Sequence, residues 1–420
     1  MSEWKEVSLS EMGKTITGKT PSSQYPEDFG DEMPFITPSD SFEKKYINKS
    51  DRFLSRSGSD RLKEKIISPN SIMVTCIGSA MGKVAKNSLS SVTNQQINSI
   101  IVNENFDSDY IYYLLKNNYA VLRNAASGST AIPILNKTDF DNLRFKVELN
   151  LNEQRKMVSI LSTIDDKIEI NNQINQELEA MAKTLYDYWF VQFDFPDQNG
   201  KPYKSSGGKM VYHPELKREI PEGWGVEKLG NFESKIITGK TPSRTNSDNF
   251  GGKIPFITIG DIRGNTFIYR TSETLTDLGA RVQKNKFLPE GSLCVSCIAT
   301  VGEIGFTTEP SHTNQQINSI VFEDETNRYY LYFALKNYFE NANASAKTGN
   351  TFANMNKEDF SEIKIIFPNK EIKNNFHKII EPYFSQIECL QGQNQQLTQL
   401  RDWLLPMLMN GQLKVQDFTI

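Results

Sequence analysis

The chain has 420 residues, 38% of them hydrophobic and 23% charged, which is enough for two or three domains, each burying its own core. It holds no run of 18 apolar residues, no basic-then-apolar leader at Met1, and only four cysteines, so a cytoplasmic protein with no disulfide framework and no membrane partner is expected. The formal charge of −4 excludes a uniformly basic nucleic-acid binder and requires any such surface to be local.

The first motif in chain order is Gly13-Lys14-Thr15-Ile16-Thr17-Gly18-Lys19-Thr20, a letter-for-letter match to the phosphate-cradling P-loop. That motif needs a helix leaving at Lys-Thr, and Pro21, Ser22, Ser23 and Pro26 oppose one. Thr17-Gly18-Lys19-Thr20-Pro21-Ser22 is better read as a loop offering backbone and hydroxyl donors. Residues 44–86 then carry ten Lys and Arg against three acids, a local charge of +7, and include an extended candidate at 71–77. Thr93-Asn94-Gln95-Gln96-Ile97-Asn98-Ser99-Ile100 follows, and after it the polar turn Ser127-Gly128-Ser129-Thr130.

Residues 152–190 contain neither proline nor glycine. Leu161, Ile164, Ile168, Asn171, Asn175, Leu178, Ala182, Leu185 and Trp189 recur there at alternating spacings of three and four, the seam of a coiled coil. About 38 residues at about 1.5 Å each predict a helix roughly 57 Å long. Its acids outnumber its bases: residues 153–187 hold seven and four, a charge of −3. Residues 193–219, rich in Gly, Pro, Ser and Lys, read as a connector that Phe193, Phe195, Tyr203 and Tyr212 partly dock.

The chain then repeats itself. Thr238-Gly239-Lys240-Thr241-Pro242-Ser243 restates the first loop at an offset of 221, and Pro255-Phe256-Ile257-Thr258 restates Pro34-Phe35-Ile36-Thr37. The octapeptide of 93–100 returns unchanged at 313–320, and Asn356-Lys357 and Asp359-Phe360 match Asn136-Lys137 and Asp139-Phe140. Residues 235–288 carry nine bases against four acids, or +5, with an extended candidate at 292–298 and a polar turn at Lys347-Thr348-Gly349-Asn350-Thr351. A second seam runs Ile380, Tyr383, Ile387, Leu390, Asn394, Leu397, Arg401, Leu404, Leu408. Asn175 and Asn394 hold equivalent positions, and a buried Asn at a seam selects register, so the two are expected to face each other or a third helix. Arg401 points to a less fully buried second seam.

Cys294 and Cys297 form a Cys-x-x-Cys, but Met73 and Cys76 stand at the equivalent positions, and core packing is the simpler reading. His213, His312 and His377 share no metal-ligand spacing. The basic bias falls at equivalent places in both copies, which points to the phosphates of duplex DNA. Candidate DNA contacts are Lys19, Thr20, Lys45, Arg56, Arg61, Lys83 and Ser129, then Lys240, Thr241, Arg244, Arg263, Arg270, Arg281 and Thr351. Candidate helix-packing residues are Leu161, Ile164, Ile168, Asn175, Leu178, Leu185, Ile387, Leu390, Asn394, Leu397 and Leu404. Two halves that read different sequences should differ where they touch bases. The identical octapeptides therefore suggest a structural role, their amides satisfying buried backbone.

Two copies of a strand-and-loop domain, each followed by a long helix, resemble the specificity subunits of type I restriction-modification systems. The resemblance covers the whole chain and rests on the Thr-Gly-Lys-Thr-Pro-Ser loops, on Leu149-Asn150-Leu151-Asn152-Glu153-Gln154-Arg155, and on Phe193-Asp194-Phe195-Pro196 leading to Ile220-Pro221-Glu222-Gly223-Trp224. Lys370-Glu371-Ile372-Lys373 departs from the pattern where the first helix has Asn152-Glu153-Gln154-Arg155. The resemblance implies an α+β fold with two mixed α/β target-recognition domains (residues 1–148 and 220–366), a central helix (149–192), a connector (193–219), a distal helix (367–412) and a tail (413–420). It implies that the helices pack as an antiparallel coiled coil with pseudo-twofold symmetry and set a fixed, unread spacer between two half-sites. It implies, finally, a non-catalytic reader of double-stranded DNA, partnered by two adenine-methylating subunits and by restriction subunits that translocate and cut. S-adenosylmethionine, ATP and Mg are then expected on those partners, with no cofactor on this chain. The rival readings are a coiled-coil scaffold, a P-loop nucleotidase, and a DNA-binding subunit of another defence complex.

Overall fold

The computed structural model describes residues 3–78, 81–125, 133–233, 235–346 and 354–413. The chain divides into two compact units, and the division cuts across the order of the repeat. One unit joins Met1–Ile168 to Leu397–Ile420; the other is Glu169–Gln396.

In the first unit a five-stranded sheet runs in the order Gly13–Thr17, Ile97–Val102, Ile72–Thr75, Val84–Asn87, Tyr46–Ile47. Its middle strand is covered on both faces, which is why it reads as an unbroken apolar run. Ile72 and Val74 enter the larger core with the helix Ser108–Asn117, while Met73 packs on the other side with Ile16, Ala85 and Ile97. A second sheet joins Phe29–Gly30, Phe53–Leu54, Met33–Ile36, Ser91–Thr93 and Ile66–Ile67. Leu161 and Ile164 of the central helix and Leu404, Leu405 and Leu408 of the distal helix complete the larger core, with Ile168 and Leu397 at its margin.

The second unit repeats the plan. Its five-stranded sheet is Ile236–Thr238, Ile317–Ile320, Leu293–Ser296, Ile304–Thr307, Phe267–Ile268, and a three-stranded sheet joins Glu273–Leu275, Phe250–Ile257 and His312–Thr313. Leu293 and Val295 face an aromatic core shared with the helix Arg328–Ala346, and Cys294 takes the place of Met73 against Ile257 and Ile317. Burial pushes the thiols of Cys294 and Cys297 up to about 12 and about 11, as befits protonated side chains used for packing.

The central helix, Leu151–Tyr186, starts where the Asn150 side chain accepts the N–H of Asn152 at 2.9 Å, and it ends in a π turn, Asp187–Val191. The distal helix, Lys370–Met409, is continuous through Pro382, Gly392 and Pro406. Burial of its apolar face, with Phe376, Ile380, Phe384 and Ile387 all in the aromatic core, outweighs those breakers. No helix among the described residues is long and apolar enough to cross a membrane.

The seams meet antiparallel inside the second unit. Asn171 donates to Asn394 at 2.9 Å at one end, and at the other the rings of Tyr186 and Phe376 lie 6.2 Å apart. Leu178 and Leu185 flank this contact, packed against the aromatic core. Of the two arrangements expected for Asn175 and Asn394, the direct pairing does not form. Asn394 instead donates to Asn172 at 2.8 Å, while both amide atoms of Asn175 are buried without a partner among the described residues. Periodicity identifies the inward face of each helix, but the stagger between two helices sets which polar residues meet. Arg401 is less buried than its seam neighbours Leu404 and Leu408, in line with its expectation, and it is held in the first unit by a 2.9 Å ion pair with Asp165.

Candidate nucleic-acid interface

The repeated loop and the repeated octapeptide are one structure, built once in each unit. In the first unit the loop leaves the strand Gly13–Thr17, and the N–H groups of Gly18 and Lys19 bond to the carbonyls of Ile97 and Thr93 at 3.1 and 2.9 Å. In the second, Gly239 and Lys240 bond to Ile317 and Thr313 at 3.1 and 3.0 Å. A Cβ on Gly18 would stand 2.1 Å from the carbonyl oxygen of Asn94, and one on Gly239 would stand 2.1 Å from that of Asn314, so the close approach excludes every other residue.

Side chains then brace the crossing. Thr17 donates to Asn98 at 2.7 Å and Thr238 to Asn318 at 2.6 Å. The Asn94 side-chain Oδ1 accepts the backbone N–H of Gln96 at 3.1 Å, and Asn314 Oδ1 does the same for Gln316 at 3.0 Å. These amides act within the fold, as the shared octapeptide suggests. No helix follows Lys19-Thr20, because the next helical turn is the three-residue Pro26–Asp28, so the P-loop match is a coincidence of letters.

The candidate contacts separate into groups. Lys19 and Lys240 are exposed at the rim of the two loops. Thr20 and Thr241 lie beside them, but their hydroxyls donate to Gln95 and Gln315, each at 2.6 Å, and are therefore not the free phosphate donors expected from sequence. Lys45 faces inward, 12% exposed, and donates at 3.0 Å to both Asp109 and Ser162. Its role is internal, a correction that no local charge count could supply.

Several arginines are held by acids distant in sequence. Arg61 pairs with Asp28 and Glu27 and lies 4.0 Å above the Tyr25 ring; Arg244 grips Glu273 at 2.7 and 2.8 Å. Arg263 pairs with Glu303 at 3.3 Å and Lys83 with Glu43 at 2.5 Å. Arg56, Arg270 and Arg281 are exposed and form no ion pair among the described residues. Ser129 and Thr351 lie outside the described residues. Gln95 and Gln315, exposed at the loop rims, were not among the candidates, and repetition at an exposed position is the signal that marks them.

The family model described as "Type I restriction modification DNA specificity domain" matches twice, over residues 1–180 and 221–399. The chain is similar to the type I restriction enzyme HindI specificity subunit of Haemophilus influenzae, with 30% identity over 98% of this chain and 100% of that one. It is also similar to the MjaIX specificity subunit of Methanocaldococcus jannaschii, with 28% identity over 99% of this chain and 94% of that one. A crystal structure of a type I restriction-modification S subunit from M. genitalium shares the fold, with a TM-score of 0.54 and 16% identity over 97% of this chain and 96% of that one. Two matches of the family model, one on each copy, and relatives spanning nearly the whole length place the chain in the type I restriction-modification DNA specificity family.

Proposed function

We propose that the chain is the DNA-recognition subunit of a type I restriction-modification complex and that each unit reads one half of a split target. The observation that carries this reading is the doubled loop crossing: two units present the same braced Gly-Lys rim, while exposed residues elsewhere in the repeat differ, as Arg56 does from Asp277. A shared rim suits a backbone that is identical in every sequence, and divergent surfaces suit two different sets of base edges. In this reading the chemistry belongs to partners: two adenine-methylating subunits that use S-adenosylmethionine, and restriction subunits driven by ATP and Mg. The long helices supply the docking frame and the constant gap.

The test is co-expression with the neighbouring methylation subunit, followed by mapping of methylated adenines along the genome. A single bipartite motif with one constant gap is the expected outcome. Methylation of a short continuous site would overturn the two-reader arrangement, and a stable complex that methylates nothing would favour the scaffold reading.

Lys19→Ala and Lys240→Ala probe the backbone contacts separately. The loop hangs on main-chain bonds, so it should survive either change. Each replacement is expected to weaken binding to all duplexes alike and to reduce the slope of log affinity against log salt by about 1. An unchanged slope in both variants excludes these lysines.

A further inference from the structure

The octapeptide has one residue that its structural role does not use. Asn94, Gln96 and Asn98 are tied into the fold, as are Asn314, Gln316 and Asn318. Gln95 and Gln315 are exposed, and each accepts one hydrogen bond, from Thr20 and Thr241. That bond occupies the amide oxygen and leaves the NH2 group, with its two donors, turned away from the threonine. The same threonine follows the exposed Lys19 or Lys240, and the main chain of that lysine is pinned to Thr93 or Thr313, two residues before the glutamine. Each rim thus carries a lysine ammonium and an amide NH2, both donors, on the two loop segments that meet at one crossing.

We propose that Gln95 and Gln315, each aimed by its threonine hydroxyl, pair with Lys19 and Lys240 to clamp one phosphate of the DNA backbone at each half-site, identically in both units. The proposal rests on the DNA-recognition reading and adds to it residues that make the grip independent of sequence.

Divergence elsewhere within the repeat supports it. The helices Arg56–Arg61 and Asp277–Val282 occupy equivalent places, each capped by a hydroxyl residue, Ser55 or Thr276. Their exposed positions have nevertheless reversed in sign: Arg56 corresponds to Asp277, and Asp60 to Arg281. Exposed residues in this chain have drifted as far as opposite charge. The lysine and glutamine of the rim have not, although neither is buried and a single hydrogen bond between exposed side chains contributes little to folding. A ligand with the same chemistry at both sites accounts for the identity. A phosphate oxygen accepts hydrogen bonds and cannot donate them, and it is present whatever bases are nearby.

The experiment uses the full chain in complex with its methylation subunit and two duplexes of about 30 base pairs, one bearing the mapped target and one scrambled. Affinity is measured across a series of salt concentrations. Gln95→Ala and Gln315→Ala are each expected to weaken binding roughly tenfold on both duplexes while leaving the salt slope unchanged, because no charge is lost. Gln95→Glu should weaken binding more, by placing a carboxylate against phosphate. Thr20→Val should reproduce much of the glutamine effect, and Thr20→Ser should restore affinity, as a positioning role requires. Unchanged affinity in both alanine variants overturns the clamp and leaves the DNA reading intact. Loss on the target duplex alone overturns it in favour of base reading. A wild-type complex that binds neither duplex overturns the DNA reading and the clamp together.

Discussion

Replacing Phe384 by alanine is expected to destabilise the second unit by about 3–5 kcal/mol. The side chain is fully buried, with ring centroids 4.4 Å from Tyr329, 5.3 Å from Tyr332, 5.8 Å from Phe333 and 6.1 Å from Phe306. It lies on the distal helix and touches both the helix Arg328–Ala346 and the sheet, so it is the hub through which these elements share one core. Truncation leaves a void that interlocked rings cannot collapse to fill. Hydrogen exchange measured by peptide should show protection in Arg328–Ala346 and Leu293–Ser296 falling by roughly two to four powers of ten, at about 1.4 kcal/mol per decade. Phe384→Leu, closer in volume, should cost much less. Protection unchanged in the alanine variant would show that the distal helix does not hold this core together.

An effect of similar size is expected from Asp109→Ala in the first unit. The Lys86 ammonium is 1% exposed and donates to Asp109 and to Ser108, the latter at 2.9 Å; Lys45 reaches the other carboxylate oxygen at 3.0 Å. Removing the carboxylate strands a buried ammonium, which costs about 3–5 kcal/mol. Replacing Lys45 and Lys86 by Met and Asp109 by Asn together should recover most of that loss, because an uncharged core of similar volume avoids the desolvation.

The pH dependence follows from the same geometry. Burial alone would raise the Asp109 carboxyl, but the hydrogen bond and charge of Lys86, with the charge of Lys45, hold it below the usual carboxylate value. Its contribution is therefore complete above the unfolded value of about 3.9 and is lost as pH falls through the lower folded value. Acid titration of the triple variant should be correspondingly flatter over that interval. An equal dependence in both proteins would show that the ion cluster is not what acid disrupts.

Much of this architecture is legible in the letters because duplication doubles every signal. Ile72–Thr75 and Leu293–Ser296 are recognisable as buried strands from their apolar runs, and the central helix from a seam that proline and glycine never interrupt. What depends on pairing between distant segments is not legible. The stagger that gives Asn394 to Asn171 and Asn172 is a property of two helices, and neither periodicity contains it. Nor does a count of bases in a loop reveal that Arg244 is held by an acid 29 residues away or that Lys45 faces inward. The rim glutamines escaped notice for the converse reason. They sit inside the strongest structural repeat, and only exposure separates Gln95 from the fold-bearing amides on either side.

The division of the chain has a consequence for the order in which the protein comes into being. Leu404, Leu405, Leu408 and Met409 belong to the core of the unit that begins at Met1. The stretch up to Ile168 therefore waits for residues 404–409 to be synthesised before its apolar surface is covered, while Glu169–Gln396, made between them, already has all its parts. The unit begun first is thus completed after the unit begun second, and in the interval its unfilled core is the surface that a chaperone would have to shield.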